Sequence, residues 1–231
     1  MHYGMLMQLI KVRNDKRSVA MIINLANGAE RLVDRAKAKD DLLADDLEAA
    51  FRFDRSGTVK IGDAEYFINV YNPPLNLIIV GAVHLAQALI PLARAAGYDV
   101  AVIDPRAAFA SQERFPDVSV HSEWPDEVLP KLDLGPRTAL VALTHDPKID
   151  DPALTAALGS RCFYIGALGS KKTQGARRER LTAAGFGEAD LNRIHGPIGL
   201  SIGARGPAEI AISIMAEMTA ALRVGPQHEV R

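Results

Sequence analysis

Ionisable residues gather where apolar runs end in this chain, and their types suit binding of an anion or a cofactor. Gly81, Val83 and His84 follow the run Leu77–Val80 and open a helix-like stretch. A dinucleotide-binding turn needs G-x-G-x-x-G, whose middle glycine lets a pyrophosphate approach the helix N-terminus. Val83 fills that middle position and Ala86 the last, so only Gly81 survives. Asp104, with Arg106 just beyond it, falls near the ~20-residue spacing of a ribose-binding acid. His84 could donate to an anion or merely cap the turn. The bland reading is a fold that kept this geometry and lost the ligand.

Thr144-His145-Asp146-Pro147 follows another apolar run. Polar residues at the carboxyl end of a strand suit a binding site. Alternatively, His145 is merely exposed and Asp146 opens a proline turn. A third stretch, CFYIGALGSKKTQGARRER, passes through Gly166, Gly169 and Ser170 to Lys171 and Lys172. It fails as a Walker loop, because Lys171 stands where the second glycine belongs. Glycines and lysines at a helix start still favour an anion. Arg177, Arg178 and Arg180 could equally mark a basic exposed helix without a ligand. His195 lies in a Gly/Pro-rich loop before a long helix, whose Glu209 suits the helix dipole and needs no catalysis. His84, His145 and His195 lack the i, i+4 spacing of metal-binding helices, so no metal is assigned. Cys162, in an apolar run, reads as a small buried hydrophobe.

Two regions of different pattern must position these residues. Residues 1–74 read as a small α+β region: a strand over Ser18–Leu25, a helical segment from Glu30 to Phe53, and a hairpin of Thr58–Ile61 and Tyr66–Val70 about Gly62-Asp63. Asn72-Pro73-Pro74 marks the boundary. Residues 75–231 alternate strand and helix. Strands are expected at Leu77–Val80, Val100–Ile103, Ala139–Leu143 and Cys162–Ile165, with Ser119-Val120 too short to assign. Helices are expected at Leu85–Ala96, Ala153–Leu158 (opened by Asp151-Pro152), Thr173–Ala184 and Pro207–Leu222. Short apolar strands alternating with helices predict an α/β fold with a parallel sheet covered on both faces. The loops after its strands then converge at one edge, which brings together Gly81–His84, Asp104–Arg106, Thr144–Asp146 and Gly166–Lys172.

Composition narrows the classes. The net charge of −1 supplies no field to recruit nucleic acid or an anionic membrane. A single cysteine excludes an intrachain disulfide and a cysteine zinc cluster. No apolar run approaches the ~20 residues of a membrane span, and the N-terminus lacks a signal-peptide pattern. A cytoplasmic location is the expectation, and a homodimer follows from base rates.

Five stretches in order resemble the XdhC/CoxI family of xanthine dehydrogenase accessory factors. They are IIVGAVHLAQAL, VIDPRAAFASQERFP, LTHDPKIDDPAL, YIGALGSKKTQGARRERL and IHGPIGLSIGARGPAEIAISIMAE. The resemblance covers roughly residues 52–220 and is densest over 139–218. It implies a Rossmann-like domain in an accessory maturation factor for molybdenum hydroxylases rather than a hydroxylase itself. Such a protein binds the molybdenum cofactor, molybdopterin, while a cysteine desulfurase adds sulfur. It then supports insertion into xanthine dehydrogenase or a related molybdenum hydroxylase. The Gly166–Lys172 loop would cradle the pterin phosphate. Residues 1–70 lack the Gly-Ser-x-Pro-Arg and Gly-Gly-Cys stretches of many relatives, which points either to a separate N-terminal-type family protein as a further partner or to a diverged scaffold. The alternative is an NAD(P)-dependent oxidoreductase with Asp104 on the ribose and His145 or His195 as acid–base. A third reading is a regulatory nucleotide-sensing module.

Overall fold

The protein is described by a computed structural model covering residues 3–224. Two compact units are present, residues 3–73 with 222–224, and residues 74–221.

In the first unit, α1 (Tyr3–Asn14) precedes β1 (Val19–Asn24), β2 (Glu30–Asp34), a 3-10 turn (Arg35–Asp40), α2 (Ala44–Phe53), β3 (Gly57–Ile61) and β4 (Ala64–Tyr71). The strands form an antiparallel sheet in the order β2-β1-β4-β3. Gly62, at φ +56°, makes the hairpin turn between β3 and β4. Ala20, Ile22 and Ile68 pack with Leu43, Leu47, Ala50 and Phe51 in one core. The helical expectation for Glu30–Phe53 holds only in its second half. Glu30–Asp34 instead pairs with β1, with Ile22 opposite Arg31, and the Asp34 carboxylate accepts from the Ala36 N–H to start the 3-10 turn. Of the residues at helical spacing, Leu47, Ala50 and Phe51 fall inside α2, whereas Leu42 and Leu43 precede it. Apolar residues on both sides of α1 hide its pattern: Met5 and Leu9 are buried, while Tyr3, Leu6, Met7 and Ile10 are exposed.

The second unit contains β5 (Leu75–Val80), α3 (His84–Ala95), β6 (Tyr98–Ile103), β7 (Ser119–His121), α4 (Pro125–Val128), β8 (Thr138–Ala142), α5 (Pro147–Leu158), β9 (Tyr164–Ala167), α6 (Lys171–Ala183), α7 (Glu188–Leu191) and β10 (Ile194–His195). The long helix α8 (Pro207–Arg223) follows, its last residues grouping with the first unit. Six strands run parallel in the order β7-β6-β5-β8-β9-β10. This is the Rossmann order, and the chain reverses direction across the sheet between β5 and β8. Strand β8 is buried throughout, which explains its unbroken apolar run, because helices cover both faces. On one face Ile78, Val80, Ile103, Leu140, Ala142 and Ile165 meet Ile149, Ala153, Leu154 and Ala157 of α5 and Leu181 of α6.

Helix α5 begins earlier than Asp151-Pro152. Asp146 caps it by accepting from the Lys148 N–H at 3.0 Å, and Pro147 takes the first helical position. Pro152 lies inside the helix, where it forgoes the i→i−4 hydrogen bond to Lys148 and its ring crowds that carbonyl. Strand β10 has two residues, too few for any alternation to register. Replacing the fully buried Leu140 by alanine should cost about 2–5 kcal/mol, measured as the shift in urea unfolding, because the cavity beneath α5 cannot collapse fully.

Candidate functional site

Reversal of the strand order leaves the loops after β5 and β8 side by side, and Gly81 shows how closely they approach. At φ +115°, a Cβ on Gly81 would lie 2.7 Å from Cγ2 of Thr144. The loops after β6 and β8 are also coupled, since the charges of Asp146 and Asp150 help to raise the Arg106 guanidinium above its ordinary value. A contiguous edge therefore runs from Asp104 through Gly81 and Thr144 to Leu168.

Asp104 organises one side of this edge. Its fully buried carboxylate accepts from the Ala82 N–H at 2.8 Å and the Arg106 N–H at 3.0 Å. Arg106 Nε and Nη2 add bonds of 2.8 and 2.7 Å, so each oxygen accepts two. Burial alone would raise this carboxyl, but the bonds from Arg106 and Ala82 outweigh it and hold it below the usual range. A carboxylate has about four acceptor positions, and all four here are filled within the chain. Asp104 therefore fixes the first βα turn rather than presenting itself to a ribose. Val83 starts α3 without a side-chain cap, and His84 is exposed at the first helical position.

Asp150 organises the other side. Its Oδ1 accepts from the Thr144 hydroxyl at 2.6 Å, and its Oδ2 from the His145 N–H and Arg177 Nη2, each at 3.2 Å. His145 is exposed at φ +70°, a left-handed conformation held by that bond to Asp150. Arg177 also donates to the Leu168 carbonyl at 3.1 Å and to Gln174 at 2.6 Å, and Gln174 donates to the Ala167 carbonyl at 3.0 Å. Asp150 and Arg177 are 1% and 2% exposed. Burial pushes the Asp150 carboxyl up, while the Thr144 hydroxyl and the Arg177 charge oppose it. Burial likewise lowers Arg177. Arg177 thus corrects the reading of α6 as an exposed basic helix. Lys171 and Lys172 do remain exposed, and Ser170 caps α6 by accepting from the Thr173 N–H at 3.2 Å. Gly169, at φ +139°, makes the preceding turn, where a Cβ would lie 2.9 Å from Thr173.

Two expected site residues serve other neighbours. A Cβ on Gly166 would lie 2.5 Å from Ile198 Cδ1, so this glycine admits the loop after β10. His195 stacks on Tyr164, ring centroids 4.6 Å apart, and its Nδ1 lies 3.3 Å from Glu217 Oε1. The Tyr164 hydroxyl donates to Glu217 at 2.5 Å, and burial together with that carboxylate pushes the phenol well above its ordinary value. Among the described residues, no three His, Cys, Asp or Glu side chains gather as a metal set. Asp150 and Arg177 were missing from the site expected on sequence. Gln174, Arg177 and Leu181 share the core-facing spacing of α6, so an arginine in that row was the available signal.

A family model described as the XdhC Rossmann domain matches residues 77–218. The chain is 33% identical over 153 residues to a protein of Bacillus subtilis (strain 168) named as a probable subunit of xanthine dehydrogenase, covering 66% of this chain and 44% of that one. It is 32% identical over 148 residues to the molybdenum cofactor insertion chaperone PaoD of Escherichia coli (strain K12), covering 64% and 40%. An uncharacterized protein of the same strain, YqeB, is 30% identical over 159 residues, covering 68% and 29%. The chain thus spans less than half the length of these relatives. A crystal structure described as a xanthine dehydrogenase from Bacillus halodurans matches with a TM-score of 0.69 and 25% identity, over 97% of this chain and 65% of that one.

Two stability measurements test this organisation. Because the folded Asp104 carboxyl titrates below its unfolded value, its contribution is complete above about pH 4 and is lost as pH falls through the folded value. Asp104→Asn should therefore lower the urea midpoint clearly at about pH 7 and progressively less towards about pH 3. Arg177→Met should cost about 3–5 kcal/mol in urea unfolding, because it leaves the buried Asp150 charge without its partner.

Proposed function

The chain belongs to the XdhC family, and from that premise we propose that it binds the molybdenum cofactor and supports maturation of a molybdenum hydroxylase such as xanthine dehydrogenase. The observation that carries this reading is the turn from β9 into α6. There Gly169 and the Ser170 cap bring two exposed lysines, Lys171 and Lys172, to a helix N-terminus on the same edge as the switch point. Backbone N–H groups and the helix dipole favour an anion at such a place, and paired ammonium groups add to it. The tight turn at Gly169 fits the terminal phosphate of molybdopterin. Thr144 and the bound Asp104–Arg106 pair would border the pterin. The cofactor supplies the redox chemistry only after it reaches the hydroxylase, so this chain's residues bind and orient it.

Sulfur transfer belongs to a partner in this reading. Cys162, the chain's one cysteine, is buried, and burial pushes its thiol above the ordinary value. A buried, protonated thiol is a poor sulfur acceptor. A cysteine desulfurase acting on the bound cofactor fits that constraint. No helix of the described residues is long and apolar enough to cross a membrane. The NAD(P) oxidoreductase alternative lacks its ribose-binding acid, because the acceptor positions of Asp104 are taken.

The test is anaerobic retention of freshly released molybdenum cofactor by the purified chain, with NAD and NADP as parallel ligands. Wild type should retain cofactor, and Lys171→Ala/Lys172→Ala should weaken retention about tenfold, as loss of charge-assisted phosphate contacts requires. Tight NAD(P) binding without cofactor retention would overturn the proposal. Retention unchanged in the double variant would remove the phosphate from the α6 turn.

A further inference from the structure

We propose that β3 is an interaction surface for a second copy of this chain. Two β3 edges pair antiparallel about a two-fold axis at Val59 and join two four-stranded sheets of the first unit into one. Strand β3 is the border of that sheet and pairs only with β4. Ile61 and Ala64 close the two-residue turn between them, so these two exchange main-chain hydrogen bonds. Along an antiparallel pair, residues that exchange such bonds alternate with residues that do not. Gly57, Val59 and Ile61 therefore bond to β4, while the N–H and C=O groups of Thr58 and Lys60 point out of the sheet. The next strand agrees: the Glu65 carbonyl, opposite Lys60, turns away from β3 and accepts from the Leu25 N–H at 2.9 Å. Among the described residues, nothing takes the outward main-chain groups of Thr58 and Lys60.

The opposite border of the same sheet is protected, and this one is not. Strand β2 carries Glu30, Arg31 and Asp34, with Arg31 paired to Asp41 and Asp34 to Arg17. Charged side chains of this kind blunt an edge. Strand β3 has no proline and no bulge, and its register runs unbroken from Gly57 opposite Ile68 to Ile61 opposite Ala64. Its one charged residue, Lys60, lies opposite Glu65.

Symmetry selects the occupant. When Val59 faces Val59 of the second copy, Thr58 faces Lys60 and Gly57 faces Ile61, so no like charges stand opposite one another. Each Thr58–Lys60 pair then exchanges both of its main-chain bonds. A Cβ on Gly57 would meet nothing within 4 Å, which leaves open space for the incoming Ile61 side chain. Val59 and Ile61 are only half-buried at the margin of the first unit's core, and pairing covers them. An unrelated strand would share the main-chain bonds but lack this matching. The surface uses no residue of the cofactor reading, so it stands or falls apart from it.

Sedimentation velocity of the full chain tests the surface. Wild type should pass from monomer to dimer between about 1 µM and about 1 mM, as a contact this small requires. Thr58→Pro removes an outward donor and no bond to β4, so it should stay folded by circular dichroism and weaken the dimer about tenfold or more. Val59→Cys should cross-link to its own copy under mild oxidation. Facing residues in a pair without hydrogen bonds bring their Cα atoms to about 4.5 Å, within reach of a disulfide. Thr58→Cys and Lys60→Cys should each stay free of cross-links, and the buried Cys162 should not compete. Should Thr58→Pro unfold, the cysteine variants decide. A wild-type monomer at about 1 mM, a Thr58→Pro dimer as tight as wild type, or cross-linking of Thr58→Cys equal to that of Val59→Cys would overturn the proposal.

Discussion

The ion pair between Asp150 and Arg177 is the interaction on which the carboxyl edge of the parallel sheet depends. Taking both charges out of water costs several kcal/mol per ion, and their mutual attraction offsets that only when the remaining donors and acceptors are satisfied. That demand fixes the surroundings. Thr144 turns its hydroxyl inward, His145 accepts a left-handed backbone, and Leu168 and Gln174 take up Nη2 and Nη1 of Arg177, leaving only its buried Nε without a hydrogen bond. Asp104 imposes the same demand on the other side of Gly81 through Ala82 and Arg106. The edge is built by desolvated carboxylates, each making two loops commit to one geometry.

Much of the architecture could be read because periodicity reports burial directly. The runs at Leu77, Val100 and Ala139 are apolar throughout because both faces of their sheet are covered, and the hairpin at Gly62-Asp63 carries its own turn chemistry. The reading failed where local pattern and tertiary pairing compete. Glu30–Asp34 is polar enough to join a helical segment, yet its backbone completes the sheet with β1. Pro152 looks like a helix start, but the Asp146 cap and Pro147 come first and win.

The carboxyl edge of the sheet was legible as a place, but the partners of its side chains were not. Strand ends located Gly81, Asp104, Thr144 and the Gly166–Lys172 stretch, because topology brings those positions to one edge. The partners of each side chain were not legible. Asp104 looks the same in sequence whether it faces a ribose or is saturated by Ala82 and Arg106. His195 looks like a loop histidine, although a tyrosine ring and Glu217 claim it. Arg177 stands among four other basic residues and differs from them only in facing the core.

The parallel sheet ends in β7 on one side and β10 on the other, strands of three and two residues. Such short borders leave few unpaired N–H and C=O groups to template a foreign strand. Strand addition, a common way for sheets to recruit peptides or to polymerise, has almost no footing on this unit. Association through this unit is therefore to be read in side chains and loops, where single substitutions can tune it without exposing a sticky rim.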